Sequence, residues 1–179
     1  HMMAYLCSGE LDLITPEGKK HHLKKGEAFF LPRNHKIRKV KHPGKNGEPF
    51  RGLFLFLKQP FLKRMVADGS YHVTHGAQYK GKNPYVMLPQ HPFLMGLFKS
   101  LEMYFDAQQY PSEALMENKL REAVLTMLEA KPALASVLFE FEPEWKINLR
   151  EFMDENYTSD LDLEGFAHYT GRSLSSFKK

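Results

Sequence analysis

The sequence predicts an α+β fold with its strands in front and its helices behind. Three observations predict it. Short apolar runs separated by glycine turns fill the first third of the chain. Residues 68–92 are broken repeatedly by glycine and proline. From Phe93 onward, apolar residues recur at three- and four-residue steps. Strands and helices segregated along a chain argue for α+β rather than an alternating α/β layout.

The strands follow in order. Tyr5-Leu6-Cys7 is a short apolar run that ends at Ser8-Gly9. Leu11 and Leu13 alternate with Glu10 and Asp12, as a half-buried strand requires. Pro16-Glu17-Gly18 and Lys24-Lys25-Gly26 are turns. Ala28-Phe29-Phe30-Leu31 is a buried strand stopped by Pro32. Ile37 and Val40 flank Arg38-Lys39, and Gly44-Lys45-Asn46-Gly47 is a loop. Leu53 to Leu57 is continuously apolar, as expected of a strand covered on both faces. Short, evenly spaced strands with glycine turns predict a sandwich or barrel.

The helices come next. Leu94, Leu97, Phe98, Leu101, Tyr104 and Phe105 form one stripe. Tyr110-Pro111-Ser112 stops that helix, and Ser112 can cap the following one. Met116, Leu120, Ala123, Val124, Met127 and Leu128 form the second stripe. Pro132 opens a short third helix with Leu134, Val137 and Leu138, and Trp145, Leu149, Phe152 and Met153 mark a fourth. The expected divisions are a barrel over residues 1–67, a connector over 68–92, a helical region over 93–142 and a final segment over 143–179.

Composition narrows the class. A hydrophobic share of 42% with 13% aromatic is enough for a real core. No apolar run approaches the roughly eighteen residues of a membrane-spanning helix. Cys7 is the only cysteine, which excludes an internal disulfide and a cysteine-based zinc site and fits a reducing cytoplasm. Residues 1–90 carry 16 Lys/Arg against 6 Asp/Glu, a net +10, and residues 91–179 carry 9 against 15, a net −6. Such asymmetry suits nucleic-acid contact or, more simply, lysines protecting sheet edges.

The last twenty residues hold the most informative pattern. Asp162 can cap a short helix containing Leu163, Phe166 and Ala167. Gly171 gives a sharp turn, and Ser173 can cap a second helix starting at Leu174. Helix, glycine turn and helix make a helix-turn-helix, whose second helix enters the DNA major groove. Phe166-Ala167, Gly171-Arg172-Ser173 and Phe177-Lys178-Lys179 resemble the matching places of AraC-family bacterial transcription regulators. Gly26 to Pro32 followed by His35 is similar to that family's N-terminal cupin-like sensor barrel. The resemblance implies a cupin-like β-barrel, an all-helical dimerisation and linker region, and a truncated helix-turn-helix. It places Ser175, Lys178 and Lys179 facing base edges, and Arg172, Ser173 and Ser176 near phosphates or a helix cap. It further implies that the chain ends about one turn into the first recognition helix. Binding of double-stranded DNA is then expected of the full-length parent rather than of this segment.

A barrel of the cupin type raises a metal-dependent enzyme as an alternative, and a pure protein-interaction module is another. Two histidines one residue apart would share a strand face, because side chains alternate. His21 and His22 are adjacent and point to opposite faces, His35 stands alone, and His72 and His75 suit one face of a helix. No metal and no cofactor are therefore expected. No nucleophile elbow, phosphate-binding loop or dinucleotide glycine signature is present, so no catalytic residues are expected. Leu11, Leu13, Phe29, Leu31, Phe54 and Phe56 are candidates to line a small-ligand pocket or to pack as core. Leu94, Leu97, Phe98, Leu101 and Phe105 are candidates for a homodimer contact or for covering the barrel. The effector is a small molecule or a protein.

Overall fold

A computed structural model describes residues 1–72, 78–81 and 83–141. Residues 1–140 belong to one unit of the fold and residues 141–179 to another. The described strands are β1 (Met2–Ser8), β2 (Glu10–Ile14), β3 (Lys20–Leu23), β4 (Ala28–Leu31), β5 (Arg38–His42), β6 (Arg51–Phe56) and β7 (Val86–Leu88). The described helices are α1 (Gln59–Ala67), α2 (Pro92–Asp106), α3 (Glu113–Ala130) and α4 (Ala135–Leu138), with a 3-10 turn over Pro132–Leu134.

The strands form two antiparallel sheets, one ordered β6-β1-β4-β7 and one ordered β3-β2-β5. Register decides which side chains share a face. Ala4 lies opposite both Phe29 and Phe54, so these three point the same way. On that face Met2, Ala4, Leu6, Phe29 and Leu31 join Leu11, Leu13 and Leu23 of the smaller sheet in one buried cluster. The opposite face carries Met3, Tyr5, Phe30, Leu53 and Leu55. There Tyr5 stacks on Phe98 of α2, with ring centroids 4.6 Å apart. The larger sheet is thus covered on both faces. That is why Ala28–Leu31 and Leu53–Leu57 read as near-continuous apolar runs.

Among the described residues the strands make two open sheets, where the sequence led to a barrel. The chain changes sheet at its tight corners. Gly9, with φ +77°, joins β1 to β2. A side chain there would place Cβ 2.7 Å from Phe50 Cα and 2.8 Å from the His42 carbonyl. At the next crossing Gly26 N–H donates to the Leu6 carbonyl, and Leu6 N–H donates to the Glu27 carbonyl.

Two elements were not anticipated. α1 buries Phe61, Leu62 and Met65 just after β6. β7 lies within the stretch read as a connector and pairs with β4, Phe29 opposite Met87. The later helices follow their stripes. His91 caps α2 by accepting from Phe93 N–H, with Pro92 at the first turn. Ser112 Oγ accepts from Leu115 N–H at 3.3 Å and caps α3. The fourth expected helix, marked by Trp145, lies outside the described residues.

Candidate functional site

A cavity of about 430 Å³ opens beside β6, which is an edge strand of the larger sheet. Cys7, Lys41, Phe50, Arg51, Phe54 and Phe105 are among the residues that line it. Four parts of the chain meet here. β1 supplies Cys7 at the point where its register to β6 shifts between Leu6 and Ser8. β5 supplies Lys41, β6 and its lead-in supply residues 50–54, and α2 supplies Glu102 and Phe105.

Local chemistry explains the arrangement. Gly52 has no side chain, and a Cβ there would sit 3.0 Å from the Phe54 ring and 3.2 Å from the Phe50 ring. Its absence lets both rings close around one wall. Lys41 lies opposite Leu11 in register, so it points to the inner side of its sheet. Its ammonium stands 5.2 Å from the Phe50 ring centre and 5.9 Å from the Phe54 ring centre, within reach of a cation–π attraction. Arg51 is already committed to Asp106, Nη2 to Oδ1 at 2.5 Å, and this partner raises its affinity for its proton. Among the described residues, Lys41 has no carboxylate within ion-pair distance.

Burial, and next the Glu102 carboxylate, push the Cys7 thiol up to about 11. The thiol is therefore protonated at neutral pH and is a weak nucleophile. Tyr5 is raised in the same sense, first by burial and then by Glu102. The cavity joins an aromatic wall to an uncommitted cation. Its volume falls in the range of roughly 300–1,000 Å³ common for small-molecule sites. Glu102 adds a carboxylate to the same lining, so Lys41 is the pole at which an anionic group would be attracted.

The structure sorts the residues singled out in the sequence. Leu11, Leu13 and Phe29 are fully buried core, and Leu31 is nearly so. They fill the space between the sheets and do not line this cavity. Phe54 does line it. Phe56 shares its face but is 62% exposed at the strand end. Leu94, Leu97, Phe98 and Leu101 are buried within the chain itself, spent on the larger sheet and on neighbouring helices. Phe105 is half exposed at the cavity rim. Phe93 and Met103 are the other large apolar residues that α2 leaves exposed. Arg172, Ser173, Ser175, Ser176, Lys178 and Lys179 lie outside the described residues, as does His75. Pairing confirms that His21 and His22 face opposite ways, with Leu13 opposite His21 and Asp12 opposite His22. His35 donates its ring N–H to the Arg33 carbonyl at 2.9 Å.

Lys41, Phe50, Arg51 and Glu102 were missed in the sequence. No local pattern marks Lys41, because its face is set only when β5 is paired with β2 and brings it opposite Leu11. Nothing local marks Glu102, which reaches the cavity only through the packing of α2.

Comparison with known proteins gives an independent finding. Residues 1–137 match the family model for the ExsA N-terminal regulatory domain. No curated protein sequence is similar enough to count as a match. Solved structures of ToxT from Vibrio cholerae are similar in fold. An apo ToxT variant from strain SCE256 superposes with a TM-score of 0.61 at 8% identity, covering 96% of this chain and 62% of that one. ToxT from strain O395 superposes with a TM-score of 0.56 at 9% identity, covering 99% and 63%. Wild-type ToxT with a bound unsaturated fatty acid gives 0.50 at 10% identity, covering 98% and 80%. The chain therefore spans about three fifths of the length of the first two ToxT chains.

Proposed function

From the premise that this chain belongs to the ExsA N-terminal regulatory domain family, and so to the regulatory portion of AraC-type regulators, we propose that it is the sensing portion of a DNA-binding transcription regulator. The family match over residues 1–137 carries that reading. The cavity beside β6 is its signal site. The signal is an amphipathic anion whose carboxylate pairs with Lys41 and whose apolar part lies on Phe50, Phe54 and Phe105. The aromatic wall, the uncommitted ammonium and the fatty acid bound to ToxT support this choice.

The chain acts by binding and not by catalysis. DNA contact in the full-length parent falls to Arg172, Ser173, Ser175, Ser176, Lys178 and Lys179, on the helix-turn-helix reading of the sequence. Homodimerisation through α2 uses the exposed Phe93 and Met103 rather than the inward stripe. A closed cupin-like barrel would require the two described sheets to join.

Calorimetric titration with oleate tests the signal site. Wild type is expected to bind oleate at least tenfold more tightly than oleyl alcohol, the worth of one charge-assisted contact of about 1.4 kcal/mol or more. Lys41→Met is expected to abolish that preference. Equal binding of the acid and the alcohol by wild type would contradict the assignment.

A further inference from the structure

The outer face of the smaller sheet holds a cluster that the sensing site does not use. Asp12 lies at its centre on β2, and its carboxylate is buried, with the side chain only 3% exposed. It accepts from His22 Nδ1 at 2.7 Å on one oxygen. On the other oxygen it accepts from His42 Nε2 at 2.6 Å and pairs with Lys20 Nζ at 2.7 Å. The second ring nitrogen of His22, Nε2, stands 3.0 Å from Glu10 Oε2. Strand pairing produces the cluster: His22 is directly opposite Asp12, and His42 is directly opposite Glu10.

Donor counting is decisive for His22. An ionised carboxylate only accepts, and a neutral imidazole has a single N–H to donate. His22 meets the Asp12 carboxylate by a hydrogen bond at Nδ1 and the Glu10 carboxylate at ion-pair distance from Nε2, so both contacts are attractive only when the ring carries two protons. His42 needs one N–H for its one contact with Asp12. With His22 as a cation, Lys20 and His22 balance Asp12 and Glu10. Without that proton, a nitrogen lone pair faces a carboxylate oxygen.

We propose that His22, bridging Asp12 and Glu10, is a proton-operated clasp that fastens the edge strand β3 to β2. The groups facing it are Asp12 and Glu10 of β2; Lys20 of β3 and His42 of β5 reach it through the shared Asp12 carboxylate. β3 has four residues, and its outer edge is unpaired in the described sheet. A strand so short depends on its side-chain contacts with β2. The clasp is closed while both ring nitrogens of His22 are protonated and opens when one of those protons is lost. The contribution is therefore present at acid pH and is lost toward alkaline pH. The Asp12 carboxylate, held well below the usual carboxylate range chiefly by Lys20 and then by His22, stays ionised as that proton is lost. The half-exposed position of His22 limits the size of the effect through solvent screening.

Thermal unfolding of the whole 179-residue chain between pH 5.5 and pH 8 tests the clasp. The wild-type midpoint is expected to fall by about 2–4 °C more across this range than that of His22→Gln. Gln keeps one donor but cannot bind the second proton. Glu10→Gln removes one of the two carboxylates and is expected to flatten the same profile, so it serves if His22→Gln does not fold. Nitrogen-15 NMR of the His22 ring at pH 5.5 gives a second readout, expected to show both nitrogens protonated. Parallel unfolding profiles for wild type and Glu10→Gln, or a single protonated ring nitrogen at pH 5.5, would overturn the proposal.

Discussion

The two sheets of this domain are held by different forces. The β6-β1-β4-β7 sheet is covered on both faces, and Met3, Ala4, Phe29 and Phe30 are fully buried in it. The β3-β2-β5 sheet buries Leu11, Leu13 and Leu23 on one side and turns Glu10, Asp12, His22 and His42 outward on the other. Burial of apolar surface is indifferent to protons, whereas an ionic hydrogen-bond cluster is not. One strand therefore serves two regimes: in β2, Leu11 and Leu13 join the common core while Asp12 anchors the titratable face. The candidate signal site lies at the edge of the first sheet, where apolar walls meet a cation from the second.

Several substitutions probe that contrast, beginning with the largest expected effect. Phe29→Ala removes a fully buried ring from the shared core. It is expected to cost about 3–5 kcal/mol in urea unfolding, equally at pH 6 and pH 8. A strongly pH-dependent cost would break the division of forces. Gly9→Ala forces a side chain onto a residue with φ +77° and against Phe50 and the His42 carbonyl. The backbone strain alone is expected to cost about 1–3 kcal/mol, and the corner between the sheets should loosen further. A cost within experimental error of zero would show that the corner relaxes freely.

Smaller effects sharpen the same comparison. Asp12 is depressed chiefly by Lys20 and then by His22, so its contribution is complete above its ordinary value near 4 and is lost as pH falls below it. Asp12→Asn is expected to reduce the steepness of acid unfolding below pH 4, measured by circular dichroism. An unchanged acid limb would mean that other carboxylates, such as Asp68 beside Arg121, dominate there. Ser112→Ala removes a helix cap remote from both sheets. Its expected cost is about 1 kcal/mol and flat from pH 6 to pH 8, which makes it the control for the other variants.

Much of this was legible in the sequence, for reasons that can be named. Alternation placed Leu11 and Leu13 inward, and the apolar runs at 28–31 and 53–57 announced a doubly covered sheet. The stripe from Leu94 to Leu101 gave α2, but not the identity of what it covers. Periodicity reports that a face is buried, not whether the same chain or a second one buries it. α1 was hidden because Gln59–Ala67 is short and buries only Phe61, Leu62 and Met65. β7 was hidden because three residues among prolines and glycines carry no usable period. The cavity and the Asp12 cluster depend on register. Lys41 meets Phe50 and Phe54, and His42 meets Asp12, only after β5 is paired with β2. Pairing partners separated by some thirty residues leave no local signal.

The central claim is that the cavity beside β6 receives the signal. Hydrogen exchange of the wild-type chain with and without saturating oleate, at one fixed pH, tests it most directly. Protection is expected over Arg51–Phe56 and the C-terminal end of α2, with Lys20–Leu23 unchanged. Protection confined to Lys20–Leu23, or no change at Arg51–Phe56 under conditions where calorimetry shows binding, would contradict it.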